Sequence, residues 1–255
     1  MFKKKFFENK IIAISGGGTG IGFSIASLFF NLDANVIIFG RRKEVLKKAI
    51  VEIKNEARNG DGNISYLSCD MSRIQDVLKV FNHIQKKYGR LDVLVNNCST
   101  WNLSPIKDLE DNDIDSHFKN ILKSTILATQ TASKILSNPS SIVNIGSFSG
   151  IMPMKYGSIY SSLKSAVIGF TKSSAKEFGG DGIRVNCVIP GVIRTPMTTD
   201  YIDKNYEKII KPIALKKIGT TRDVANGVLF LSSELAQYVT GTTLEITGGK
   251  YITQD

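Results

Sequence analysis

Lys10-Ile-Ile-Ala-Ile-Ser-Gly-Gly-Gly-Thr-Gly-Ile-Gly22 decides the fold. Its first six residues form a short, β-branched apolar run suited to a buried strand, and Gly20–Leu32 carries a helical pattern. Between them Gly16, Gly20 and Gly22 permit a tight turn, the approach of a pyrophosphate and close helix packing, while the helix aims its amide-rich N-terminus at the same spot. Alone, a glycine cluster reads equally as a flexible turn. After a strand, before a helix and inside a βαβ unit it reads as a nucleotide site, with Gly18, Thr19 and Ile21 completing the turn. Its Gly-x-x-x-Gly-x-Gly spacing differs from the general dinucleotide fingerprint.

Working outward, short apolar runs alternate with helical patterns: strands at Asn35–Phe39, Ile64–Ser68 and Leu91–Val95, helices at Lys43–Arg58 and Arg73–Tyr88. Runs apolar throughout, such as Val36-Ile-Ile-Phe39, suit strands covered on both faces, as in a parallel sheet with helical crossovers. The second half adds a long helical stretch near Asp108–Ser137, strand Ser141–Ile145, helix Ser158–Phe178, strand Ile183–Val188, a helical segment near Thr199–Lys211, helix Arg222–Ser232 and strand Thr243–Ile246. The expectation is a doubly wound, Rossmann-type α/β fold with one seven-stranded parallel sheet and helices on both faces. With no repeat, low-complexity tract or linker, residues 1–255 are expected to form a single domain.

In this fold an acidic residue about 20 positions beyond the turn holds the adenosine ribose of NAD. Here the second strand ends Val36-Ile-Ile-Phe-Gly-Arg-Arg42, with glycine in the carboxylate's place and two guanidinium groups after it. Arg41 and Arg42 suit a 2′-phosphate, which arginine clamps through charge-assisted hydrogen bonds, so NADP(H) is predicted over NAD(H). The bland reading is that they open the next helix in solvent, where a cation at a helix N-terminus is electrostatically disfavoured.

In Ser158-Ile-Tyr-Ser-Ser-Leu-Lys164 a phenol and an ammonium lie four residues apart, on one helix face. If both face a cleft, the cation favours phenolate and pulls the tyrosine pKa down from about 10, giving an acid/base group usable near neutral pH. By itself the spacing reads first as a solvated helix face, since Tyr and Lys recur four residues apart by chance in many helices.

The 42% hydrophobic content supports a large core. No apolar run reaches the 18 or so residues a membrane helix needs, and Met1–Lys10 has a basic start without a signal peptide's apolar core, so a cytoplasmic protein is expected. The net charge of +10 would suit an acidic partner. Apart from Lys3 to Lys5, however, the lysines are scattered pairs on predicted helices with no interleaved aromatics, which argues against nucleic acid. Cys69, Cys98 and Cys187 lack ligand spacing, and neither His83 nor His117 sits in a ligand pattern; no metal is expected.

With these residues assembled, the chain resembles the short-chain dehydrogenase/reductase family from about Asn9 to Gly249. The features run in order: Ser15–Gly22, Cys69-Asp70, Leu94-Val-Asn-Asn97, Ser147 thirteen residues before Tyr160, Lys164, Ile183-Arg-Val-Asn186, Pro190-Gly191 with Thr195, and Thr240-Gly241 before Gly248-Gly249. The resemblance implies that Asp70 hydrogen-bonds the adenine beside Met71, that Asn96 lines the cofactor cleft by its backbone beside Asn97, and that Pro190, Gly191, Ile193 and Thr195 face the nicotinamide. It implies Tyr160 as general acid, Ser147 as donor to the substrate oxygen, Lys164 as ligand of the nicotinamide ribose that lowers the tyrosine pKa, and Asn120 as holder of a relay water. Hydride arriving at a carbonyl carbon builds negative charge on oxygen, and Tyr160 with Ser147 would meet it. Single members keep plainer readings: Asn120 bridging within a helix, Asp70 capping the helix near Arg73, Thr195 turning before Pro196.

Departures are Ser15 for threonine, Cys98-Ser99 where Ala-Gly is usual, and Thr247 for an aspartate. Cys98 and Ser99 would narrow or re-aim the pocket floor. Substrate choice should come from Ser99–Leu103, Phe148–Tyr156 and the lid-like span Met197–Leu215, whose apolar residues and lysines suit an acyl chain on an acidic carrier. The likeness is to 3-oxoacyl-(acyl-carrier-protein) reductases, implying an acyl-thioester substrate, possible docking of an acyl carrier protein, and a homotetramer built on the helices holding Asn120 and Tyr160. Asn102-Leu-Ser-Pro105 is similar to the enoyl- and dienoyl-CoA reductase branch, but dienoyl-CoA reductases lack the tyrosine retained here. Sugar or secondary-alcohol dehydrogenation also fits the fold. Ser147 lacks the Gly-x-Ser-x-Gly elbow of a hydrolase, and a non-catalytic NADP(H)-sensing module would be expected to lose Tyr160 or Lys164.

Overall fold

The computed structural model describes residues 5–57 and 62–250; Lys3, Lys4 and Arg58 of the expectations above lie outside them. Seven strands, β1 (Ile11–Ser15), β2 (Asn35–Gly40), β3 (Asn63–Ser68), β4 (Leu91–Asn96), β5 (Leu136–Ile145), β6 (Ile183–Pro190) and β7 (Thr243–Ile246), form one sheet in the order β3-β2-β1-β4-β5-β6-β7. Every pairing is parallel. The helices are α1 (Gly20–Phe30), α2 (Lys43–Glu56), α3 (Ile74–Tyr88), α4 (Asp111–Phe118), α5 (Ser124–Ala132), α6 (Ser158–Phe178), α7 (Thr199–Ile210) and α8 (Thr221–Ser232).

Continuously apolar strands are buried on both faces because alternate side chains serve opposite layers. Ile12 and Ile14 of β1 join Val36 and Ile38 of β2 in a core with Phe29 of α1 and Val228 of α8. Ile11, Ala13, Ile37 and Phe39 point the other way, onto Phe81 and Ile84 of α3 and Ala128 of α5. Strand order reverses between β1 and β4, and in open α/β sheets the crevice outside the carboxyl ends at that point is where ligands bind.

Two expectations need correction. The helix read across Asp108–Ser137 is a 3-10 turn (Ile106–Asp108), α4, one π-helical turn (Lys119–Lys123) and α5, ending at Ala132. Strand β5 begins at Leu136, before the expected Ser141, because Leu136 pairs with Leu91 ahead of a register shift. The polar residues Ser137 to Ser141 hid this pairing from a hydrophobicity pattern.

The buried side chain of Asn96 donates to Thr129 Oγ1 (3.0 Å) and Asn144 Oδ1 (2.9 Å), and Asn144 donates to Thr171 Oγ1 (2.9 Å), so it ties β4, β5, α5 and α6 together. Buried and mutually bonded, these groups hold the ends of β5 and α6 in one register. Helix α8 starts with a capping box: the Thr220 hydroxyl accepts from the Asp223 N–H, and Asp223 accepts from the Thr220 N–H (2.8 Å). Among the described residues no helix is long and apolar enough to cross a membrane.

Candidate active site

A cleft of about 460 Å³ opens over the carboxyl ends of β1 and β4. Its floor is the glycine turn. Gly16, at φ +64°, donates its N–H to Phe39 O (2.7 Å), and the Asn97 amide donates to Ser15 O (3.1 Å) and Gly16 O (3.2 Å). The Ser15 hydroxyl accepts from the backbone N–H groups of Asn97 (2.8 Å) and Cys98 (3.0 Å), so serine ties β1 to β4 where the family has threonine. A Cβ on Gly22 would stand 2.3 Å from Gly16 O; this glycine lets α1 seat against the turn and does not line the cleft. No side chain caps α1 and its first turn holds no acid, leaving its amide end free for an anion.

At the adenosine end Arg41 and Arg42 line the cleft, Arg42 as the N-cap of α2, and among the described residues neither pairs with a carboxylate. A Cβ on Gly40 would meet nothing within 4 Å, so there is room beside the guanidinium groups. Asp70 Oδ1 accepts from Ser72 N (2.9 Å) and Ser72 Oγ (2.8 Å) in a local turn. The N-cap of α3 is Arg73, which removes the reading of Asp70 as a cap.

The far end brings together Ser147 after β5, Tyr160 and Lys164 on the first turns of α6, and Asn120 in the π-helical turn. The Ser147 and Ser99 side chains stand at the Tyr160 phenol, where their hydroxyls favour its ionised form. Lys164, 2% exposed, donates to Ile145 O (2.8 Å), with Nζ 5.8 Å from the Tyr160 ring centre. Burial pushes the Tyr160 pKa up, against the two seryl hydroxyls that pull it down. The lysine is itself lowered to about 8 by burial, which Cys187 and Cys98 partly oppose. The Asn120 side-chain amide donates to Ser116 O (2.7 Å) and its backbone carbonyl accepts from Ser124 Oγ (2.9 Å), so it bridges within its helix while lining the cleft. All the predicted site residues except Gly22 and Asn96 line this one cleft.

The family model described as Enoyl-(Acyl carrier protein) reductase matches residues 16–250. The chain belongs to the short-chain dehydrogenase/reductase family. It is 32% identical over 245 residues to the 3-oxoacyl-(acyl-carrier-protein) reductase FabG of Chlamydia muridarum, covering 94% of this chain and 97% of that one. It is 31% identical over 243 residues to a 3alpha-hydroxysteroid dehydrogenase of Mediterraneibacter gnavus, covering 94% and 96%. The crystal structure of a short chain dehydrogenase from Burkholderia cenocepacia J2315 in complex with NADP superposes with a TM-score of 0.88 at 27% identity, covering 96% of this chain and 99% of that chain.

This short-chain dehydrogenase/reductase is therefore an oxidoreductase of a family that binds a nicotinamide cofactor. The span Met197–Leu215 borders the cleft through Met197, Thr198, Tyr201 and Ile209. Trp101 meets Tyr201 of α7 edge to face (5.4 Å between ring centres), and Ile202, Ile209 and Ile213 seat α7 in a small core of their own. Thr195 anchors the lid: its N–H donates to Thr198 Oγ1 (3.0 Å) and its carbonyl accepts from Thr199 Oγ1 (2.8 Å), which bears out the turn reading while the residue still lines the cleft. Three features escaped sequence reading. Ser99 reaches the phenol, Val45 and Leu46 of α2 form a wall near Gly18, and Lys250 enters the cleft from beyond β7. Only Ser99 carried a signal, as a departure from the family pattern.

Proposed function

We propose that this protein is an NADP(H)-dependent reductase of a carbonyl, a 3-oxoacyl thioester, to the hydroxyl, or the reverse, with Tyr160 as the acid/base group. The observation that carries it is the convergence of the Ser147, Ser99 and Tyr160 side chains in the cleft that also holds the glycine turn and Arg41 and Arg42, which among the described residues pair with no carboxylate. Bound NADPH would supply hydride to the carbonyl carbon. Ser147 Oγ donates to the carbonyl oxygen, and Tyr160 Oη gives that oxygen its proton, leaving a phenolate. Ser99 stabilises this phenolate by hydrogen bonding, and Lys164, with a pKa of about 8, serves as the nearby proton reservoir that restores it. Asn120 contributes to the relay from the π-helical turn, a feature frequent at functional sites.

At the cofactor end the uncapped α1 terminus and the turn Gly16, Gly18, Thr19, Gly20 and Ile21 take the pyrophosphate; Asp70 and Met71 flank the adenine, and Asn97 braces the turn. Pro190, Gly191, Ile193 and Thr195 flank the nicotinamide, and Arg41 and Arg42 take the 2′-phosphate. The relative from Burkholderia cenocepacia described in complex with NADP supports the cofactor, and the likeness to 3-oxoacyl-(acyl-carrier-protein) reductase supports the substrate. We propose further a single domain, a cytoplasmic homotetramer and, with net charge +10, an acidic acyl carrier protein as substrate carrier. Turnover of acetoacetyl and enoyl thioesters with NADPH and NADH tests the reading. Acetoacetyl reduction with a lower KM for NADPH is expected; equal use of NADH would end the cofactor claim, and enoyl reduction alone would end the carbonyl claim. Tyr160→Phe should lower kcat by about 10²–10⁴ with cofactor affinity retained, and a fully active variant would refute the assignment.

A further inference from the structure

The cleft holds a cation that the proposed chemistry does not use. Lys250 follows the Gly248-Gly249 turn beyond β7 and lines the cleft, its Nζ 5.1 Å from the ring centre of Phe148, the residue next to Ser147. The same cleft is lined by the apolar side chains of Met152, Met154, Met197 and Ile209. Among the described residues no carboxylate pairs with Lys250, and the one acid lining the cleft, Asp70, stands at the opposite, adenosine end. Burial lowers the Lys250 pKa. An ammonium half-desolvated over an aromatic face gains most from an anionic partner brought in by a ligand.

We propose that Lys250 is a specificity-determining residue that pairs with an oxyanion carried by the substrate, a carboxylate or phosphate, so that this enzyme selects anionic over neutral carbonyl compounds. The inference rests on the carbonyl-reductase reading and names the substrate class of that same site. It leaves Tyr160 and Ser147 their roles: Lys250 binds and orients, and no proton moves through it.

The test compares two pairs of substrates with the wild-type enzyme, Lys250→Met and Lys250→Arg. One pair is acetoacetyl-coenzyme A and the neutral acetoacetyl-N-acetylcysteamine thioester, which carries no phosphate; the other is 3-oxooctanoate and its methyl ester. Lys250→Met should raise KM for the anionic member of at least one pair by about tenfold or more, leave the neutral members within about twofold, and leave kcat nearly unchanged. Lys250→Arg should keep the preference. The pair that responds tells phosphate from carboxylate. Calorimetric binding of the same compounds to the protein loaded with oxidised cofactor reads the same preference without turnover, so it judges Lys250 even if no compound is reduced, a result that would count against the reaction instead. Equal affinity of the wild type for anionic and neutral members, or equal KM changes for both in Lys250→Met, would overturn the proposal.

Discussion

Replacing Lys164 by methionine should change how stability depends on pH, by an amount that follows from its burial. The ammonium sits 2% exposed on one carbonyl hydrogen bond, and its pKa falls from 10.5 to about 8. At 1.36 kcal/mol per pH unit, keeping it charged in the fold costs about 3 kcal/mol at pH 7. Between pH 8 and 10.5 the unfolded chain still holds the proton that the native state has lost, so this contribution to stability rises with pH and the cost is progressively relieved. Integrating over pH 7 to 9.5, the stability of the wild type relative to Lys164→Met should rise by about 2 kcal/mol. Cys98 and Cys187, whose thiols burial pushes up and Lys164 pulls down, are present in both proteins and enter the difference through that coupling to the ammonium. Urea unfolding of both proteins without cofactor, followed by the fluorescence of the single tryptophan, Trp101, measures it. A difference constant within about 0.5 kcal/mol from pH 7 to 9.5 would show that Lys164 is not desolvated and would remove its role as a proton reservoir.

Other outcomes follow from single contacts. Ser99→Ala removes a hydrogen bond that lowers the Tyr160 pKa, so in alcohol oxidation the acidic limb of the pH profile of kcat/KM should move to higher pH with cofactor affinity unchanged; an unmoved limb would disconnect Ser99 from the phenol. Gly22→Ala forces a methyl group against Gly16 O and should weaken NADPH binding at least about tenfold while costing about 1–3 kcal/mol of stability; calorimetry and urea unfolding read the two effects. Thr220→Ala breaks the α8 capping box and should cost about 1 kcal/mol, with thermal unfolding as the measure. Asp223, whose pKa that box lowers, contributes stability that is present above the ordinary carboxylate pKa and lost as pH falls below it; the Thr220→Ala deficit should therefore shrink in acid.

Much of this was legible because it is local or periodic. Alternating apolar runs imposed a sheet with two covered faces, and a glycine turn after the first strand placed a phosphate-sized cradle at the head of α1, since both depend on backbone geometry that neighbouring residues dictate. The Tyr160–Lys164 spacing likewise fixed which two side chains share a helix face. Tertiary structure decided the rest. It turned Asn96 inward to Thr129 and Asn144, started β5 at Leu136 through pairing with Leu91, and put a π-helical turn at Asn120. It also set the burial of the pair: what packs around a group comes from distant parts of the chain, and desolvation raises the Tyr160 pKa and lowers that of Lys164, while Ser99 and Lys250 reach the cleft from segments far apart in sequence.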